Sequence, residues 1–154
     1  MTEGDEMVSA TTVRTEREWT LPHDAAAVPG AREQLVDLLE ELGVAEETVV
    51  EAELAASELL GNAVMHGRPT TDGTVVLRAR VREQAVEIAV TDGGPAEGQA
   101  ADIRPRRTSV VATRGRGLRI VRSLAHEWGV LVDADQGGTT VWASIGGPSR
   151  RRAG

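Results

Sequence analysis

The 154-residue chain contains no cysteine, no lysine, no phenylalanine and no tyrosine. Without cysteine it forms no disulfide, offers no thiol nucleophile and builds no Cys-ligated zinc site. Three tryptophans are its only aromatic residues, too few for a platform on which bases stack. A Walker A loop needs Gly-Lys-Ser/Thr, so the lack of lysine removes that phosphate-binding device as well. The three histidines, His23, His66 and His126, have no zinc-like spacing, and no GxSxG nucleophile elbow occurs. No apolar run approaches the roughly 20 residues that span a bilayer, and the polar, acidic start has no signal-peptide core, so the expected setting is cytoplasmic. A net charge of −7 sets the average surface against phosphate backbones and anionic lipids, so neither nucleic acid nor a membrane is an expected partner.

What remains is a core of Val, Leu, Ile and Ala in a chain of the right size for one domain, expected over residues 13–146 between a disordered segment 1–12 and a basic tail 147–154. Val13 to Leu21 alternates loosely and reads as a strand. Pro29 suits the first turn of a helix whose apolar face is Leu35, Leu38, Leu39 and Leu42 and which Gly43 closes. A longer helix follows, with Glu46 and Glu47 complementing its dipole, and runs to about His66. Thr74–Val81 and Ala85–Thr91 read as an antiparallel hairpin joined by Arg82, Glu83 and Gln84. Between Gly93 and Thr113 no period is sustained, and a loop of that length inside a compact domain suggests a lid. Leu118, Ile120, Val121, Leu124 and Ala125 form a helical pattern that ends before Trp128, and Val130–Asp133 with Thr139–Ile145 complete a last hairpin.

The chain is organised around Leu54 to Gly67, LAASELLGNAVMHG, an apolar helix that nevertheless carries Glu58 and Asn62. Residues four apart lie about 40° apart around a helix, so both project toward one point, and His66 continues that face. Gly61 costs about 1 kcal/mol against alanine inside a helix and suggests close approach of another group to the backbone. Three further stations sit at element boundaries. Asp92, at the end of the apolar strand Val86, Ile88, Val90 and followed by Gly93 and Gly94, can form an ordinary Asp-Gly turn or accept a hydrogen bond from a ligand amine such as adenine's. Arg114-Gly115-Arg116-Gly117-Leu118 enters a helix N-terminus, where free N–H groups suit phosphate, and Arg104, Arg106 and Arg107 add positive charge to the same loop. Gly137-Gly138-Thr139-Thr140 is a glycine turn opening the last strand.

In this order, Glu58-x-x-x-Asn62-x-x-x-His66-Gly67, Asp92-x-Gly94, Gly115-x-Gly117 and Gly138-x-Thr140 resemble the successive boxes of the GHKL ATP-binding superfamily. SELLGNAVMHG, VTDGGP, GRGLRIV and GGTTVW resemble in particular the bacterial anti-sigma regulatory factors with serine protein kinase activity. Ala96 stands where a second glycine is usual, and Thr139 where a lysine is frequent. The resemblance, over roughly residues 25–146, implies an α+β two-layer sandwich with a mixed, mainly antiparallel sheet and helices on one face. It implies ATP or ADP with Mg²⁺ as cofactors, Asn62 as the metal ligand, Asp92 and Gly94 at adenine, and Glu58 as the general base. His66, Arg114, Gly115, Arg116, Gly117, Leu118 and Thr140 complete the implied nucleotide site. The implied activity is phosphorylation of an anti-anti-sigma antagonist together with sequestration of a sigma factor, in a homodimer. The alternatives are a regulatory module that binds ATP and a protein partner without catalysis, and a plain α/β interaction domain.

Overall fold

The structure, a computed structural model, describes residues 13–83, 85–94, 118–133 and 137–146. The termini, the stretch 95–117 and the tip of the last hairpin lie outside the described residues. Strand β1 (Thr15–Pro22) leads through a short 3₁₀ turn, capped by the Asp24 side chain on the Ala26 N–H at 3.0 Å, into α1 (Val28–Glu41). Helix α1 starts with Pro29 in its first turn and ends where Gly43, at φ 77°, bends the chain back. There the Gly43 N–H bonds Glu40 and the Val44 N–H bonds Leu39, the paired bonds that close a helix on a left-handed residue. Helix α2 (Glu46–His66, 21 residues) follows, then β2 (Thr74–Val81), β3 (Ala85–Asp92), α3 (Leu118–Leu124), β4 (Glu127–Val132) and β5 (Thr139–Gly146). The strands form one sheet in the order β1-β2-β3-β5-β4, every pairing antiparallel. No described helix is long and apolar enough to cross a membrane.

The alternation along each strand decides how the layers stack, because successive side chains leave a strand on opposite faces. Val75, Leu77, Ala79 and Val81 of β2 and Val86, Ile88 and Val90 of β3 are all buried, and the register sets Val81 beside Val86, Ala79 beside Ile88 and Leu77 beside Val90. Ala143 and Ile145 of β5 continue this face, which packs against Leu35 and Leu39 of α1 and Ala52, Ala56, Leu59, Leu60 and Ala63 of α2 in one core cluster. Burying a side chain such as Leu60, which is 0% exposed, stabilises the fold by about 1.5–3 kcal/mol. Helices on one face of an antiparallel sheet are the architecture that the sequence resemblance implies.

Two local expectations change. Strand β4 begins at Glu127 rather than at Val130, since Trp128 and Gly129 already pair with Ala143 and Trp142. Among the described residues an added Cβ at Gly61 would meet no atom within 4 Å, so no described neighbour makes the close approach expected there. Leu54 and Met65 likewise face outward, 44% and 71% exposed.

Candidate functional site

Helix α2 carries Glu58, Asn62 and His66 on a half-buried stripe beside its fully packed residues Ala55, Leu59 and Ala63. A partly covered carboxylate and carboxamide one turn apart form a polar window in the helix layer. The helix stops where Gly67 turns extended, and the chain after it touches the end of β3. There the Gly93 N–H donates to the Arg68 carbonyl at 2.6 Å, and the Arg68 N–H donates to the Gly94 carbonyl at 2.8 Å.

Three glycines permit the close packing here: at Gly67 a Cβ would overlap the Asp92 carboxylate, at Gly93 one would run into the Pro69 carbonyl, and at Gly94, whose φ is 109°, into the Gly137 carbonyl. Asp92 therefore lies directly under the last turn of α2. Its Oδ1 accepts the Gly94 N–H at 2.7 Å. Burial pushes the Asp92 carboxyl up from 3.8 to about 7, against the Gly94 N–H and the nearby His23, both of which pull it down.

Register decides which residues of β5 join Asp92. Asp92 pairs with Thr139 and Thr91 with Thr140. Asp92 continues the helix-facing series Val86, Ile88, Val90, and Thr139 continues the series Ile145, Ala143, Val141. Thr139 is 8% exposed, and among the described residues its buried Oγ1 has no hydrogen-bond partner, an arrangement that costs free energy until a partner arrives. Thr140 faces the other way and hydrogen-bonds Thr91 through their hydroxyls at 2.6 Å. The structure thus brings Asp92 to the face of α2, with Thr139 beside it, and does not bring Thr140 there.

A hollow of about 560 Å³ reaches the same strand ends, lined by Arg68, Thr70, Thr71, Thr91, Asp92, Asp133 and Thr140 among others. It excludes Glu58, Asn62 and His66. Its wall takes Thr91, Thr140 and Leu131 from one face of the sheet and Asp92 and Val132 from the other, so it wraps the strand ends.

A profile of the histidine kinase-like ATPase domain matches residues 21–145, most of the chain. The chain belongs to this family. Among solved structures, it is similar to the RsbU and RsbW domains of Rv1364c from Mycobacterium tuberculosis, with 25% identity and a TM-score of 0.63. That match covers 88% of this chain and 34% of the other, so the chain spans about a third of its structural relative. No curated protein matches it.

Within the family fold, the sequence-expected residues fall into three groups. Glu58, Asn62 and His66 lie along α2, and Asp92 and Gly94 lie at the end of β3 under it. Arg114, Gly115, Arg116 and Gly117 lie outside the described residues, and Leu118 opens α3. Thr140 stands on the opposite face from α2. Two residues that sequence reading passed over enter the site: Thr139, identifiable from the alternation of β5, and His23, whose position on the β1–α1 connector follows only from the folded chain.

The donor set also fits a Mg²⁺ ion accompanying a nucleotide. Among the described residues no group of three His, Cys, Asp or Glu side chains could hold a metal. Mg²⁺ commonly keeps its waters and phosphate oxygens and takes one or two protein ligands. The Asn62 side-chain oxygen, half-buried one turn from Glu58, is a suitable single ligand.

Proposed function

We propose that the chain binds ATP between α2 and the sheet and is a cytoplasmic anti-sigma regulator with serine kinase activity, acting on an anti-anti-sigma antagonist and holding a sigma factor. The observation that carries this reading is the seating of the Asp92 carboxylate against Gly67, the cap of the helix whose half-buried residues include Glu58 and Asn62. Family membership and the similarity to a structure containing an RsbW domain support it. The homodimer implied by the sequence resemblance belongs to the same reading.

In this reading Asp92, an acceptor when ionised, takes the adenine amine, and the unpartnered Thr139 hydroxyl adds a donor or acceptor at the same end. Asn62 holds the metal at the phosphate end, where Mg²⁺ supplies charge neutralisation to the phosphates. Arg114, Arg116 and the glycines Gly115 and Gly117 bind the phosphates, Leu118 and His66 flank them, and Gly94 gives the base room. The serine hydroxyl of the partner attacks the γ-phosphorus, the bond to the ADP oxygen breaks, and Glu58 takes the hydroxyl proton. Water exclusion comes from the partner seated over the stripe.

The test is phosphate transfer from labelled ATP to the antagonist serine by the parent and by Glu58→Gln, with nucleotide affinity measured for both. Glutamine preserves volume and reach but not basicity, so affinity is expected to hold while transfer falls by roughly 10²–10⁴. Undiminished transfer by Glu58→Gln would remove the role given to Glu58. A parent that binds ATP yet phosphorylates no antagonist would leave a non-catalytic ATP-binding regulator.

A further inference from the structure

We infer that His23 is a positioning residue for base recognition, holding the last turn of α2 against the strand end that carries Asp92; this rests on the proposal that Asp92 takes the adenine amine. His23 sits on the connector after edge strand β1, far in sequence from what it touches. Its Nε2 lies 3.0 Å from the Ala63 carbonyl oxygen and 3.1 Å from that of Gly67. A ring nitrogen facing two carbonyl acceptors must carry its proton, so Nε2–H donates and the tautomer is fixed.

The location explains why a donor is needed. The final carbonyls of a helix lack intrahelical partners and form the negative end of its dipole. Here the Gly67 N–H also donates to the Ala63 carbonyl, at 3.1 Å. Against the same turn lies the Asp92 carboxylate, so close that Gly67 has no space for a Cβ. Helix-end carbonyls and a buried carboxylate thus crowd one small volume with negative charge. The His23 N–H is the donor that reaches the carbonyls from outside the helix.

The consequence concerns spacing. Asn62 immediately precedes Ala63, and Asp92 packs on Gly67, so the two carbonyls bound by His23 belong to the last helical turn, which follows the proposed metal ligand and abuts the proposed base acceptor. Fixing them sets the distance that a nucleotide must span, and recognition of one exocyclic group tolerates only about 0.5 Å of misplacement. Without His23 the Gly67 turn keeps its Arg68 bonds to Gly93 and Gly94 but loses the donor on the Gly67 carbonyl itself, so its seat on Asp92 loosens, and discrimination at the base falls before binding of the phosphates.

The experiment compares ATP with inosine triphosphate, which presents a carbonyl where adenine has its amine. Affinities of both nucleotides are measured for the whole chain as parent, His23→Leu and His23→Gln, with thermal unfolding of each. The parent is expected to prefer ATP. His23→Leu should lose about three- to tenfold in ATP affinity, the value of one hydrogen bond, with affinity for inosine triphosphate little changed. His23→Gln, whose amide N–H reaches the Nε2 position, should restore the ratio, a rescue that packing volume alone does not give. An unchanged ratio in a folded His23→Leu overturns the inference while leaving the role of Asp92 standing. Equal binding of both nucleotides by the parent overturns the role of Asp92 and this inference with it. Should His23→Leu fail to fold, His23→Asn, too short for both carbonyls, replaces it; a ratio lowered in Asn but not in Gln supports the inference, and equal ratios overturn it.

Discussion

The two faces of the sheet are built from the same strands by opposite means. On the face covered by α1 and α2, Leu77, Ala79, Val86, Ile88, Ala143 and Ile145 are all 0% exposed. On the open face, β1, β2 and β3 place charge between those residues: Arg78 meets Glu18 at 3.3 Å, and Arg80 meets Glu16 at 3.3 Å and Glu87 at 3.4 Å. Burial on the covered face is what the fold depends on, since desolvated apolar area contributes far more than solvated ion pairs. The covered face is apolar along β3 and β5 until its last cross-strand pair, Asp92 with Thr139. Asp92 accepts the Gly94 N–H, whereas the Thr139 hydroxyl has no partner among the described residues, so this polar pair where alternation calls for aliphatic residues leaves capacity that a ligand could fill.

The sharpest way to test that contrast is to change the two adjacent threonines of β5 separately. Thr139→Val removes a buried hydroxyl that has no partner among the described residues, so the free protein should gain about 1 kcal/mol in stability. The same substitution should weaken ATP binding, because the donor at the base end is gone. Thr140→Val instead breaks a half-buried bond to Thr91, and should lower stability by about 0.5–1 kcal/mol with ATP affinity unchanged. Denaturation midpoints and nucleotide titrations on both variants check the pair. A fall in ATP affinity confined to Thr140→Val would reverse the assignment of faces.

A second contrast separates folding from binding by pH. The Asp92 carboxyl is raised from 3.8 to about 7, so the folded state holds its proton to higher pH than the unfolded chain does. Its contribution to stability is therefore complete below the unfolded value and is lost as pH rises through about 7. Stability should decline from about pH 4 to about pH 7 and level off above, and Asp92→Asn should flatten that decline. Binding should run the opposite way. The adenine amine favours the ionised carboxylate, so ATP affinity should weaken as pH falls below about 7, by at most about tenfold per pH unit. Chemical denaturation and ATP titration across this range check both signs.

Much of the fold was legible because its signals are periodic. The leucines of α1, the apolar stretch of α2 and the alternation of β2 and β3 each repeat with the period of one element, and the matching elements formed. The start of β4 was hidden because Trp128 and Gly129 carry no alternation, and pairing with β5 alone makes them strand. Helical spacing put Glu58 and Asn62 together and the strand pattern put Asp92 at a strand end, and the structure places them so, on α2 and at the end of β3. The strand parity of Thr139, Val141, Ala143 and Ile145 was present in the sequence and puts Thr139, not Thr140, on the helix side of β5. His23 was not legible at all, since its partners Ala63 and Gly67 are backbone carbonyls, which any sequence supplies. Gly61 and Gly67 show the same limit: one lies in α2 and the other caps it, and only the packing shows that, among the described residues, Gly67 and not Gly61 has a neighbour in the way.

The smallest expected effect lies on the open face, and it tests whether the charged ladder contributes to the fold or only keeps that face wet. Arg80 bridges Glu16 of β1 and Glu87 of β3, and Arg78 reaches both Glu16 and Glu18. The partners are about a fifth to a half exposed, with Arg80 at 36% and Glu16 at 46%, so water screens them and their side chains give up rotamer freedom to meet. A double-mutant cycle with Arg80→Ala and Glu16→Ala should return a coupling of about 0.2–1 kcal/mol. That coupling should shrink in about 1 M salt, where the Debye length is roughly 3 Å. Because β1 is an edge strand held to β2 by its ladder of backbone bonds and by Leu21 in the core, losing the ion pairs should leave its pairing intact. A coupling well above 1 kcal/mol that salt does not reduce would mean that the open face is covered in solution and that the contrast between the faces is smaller than the single chain displays.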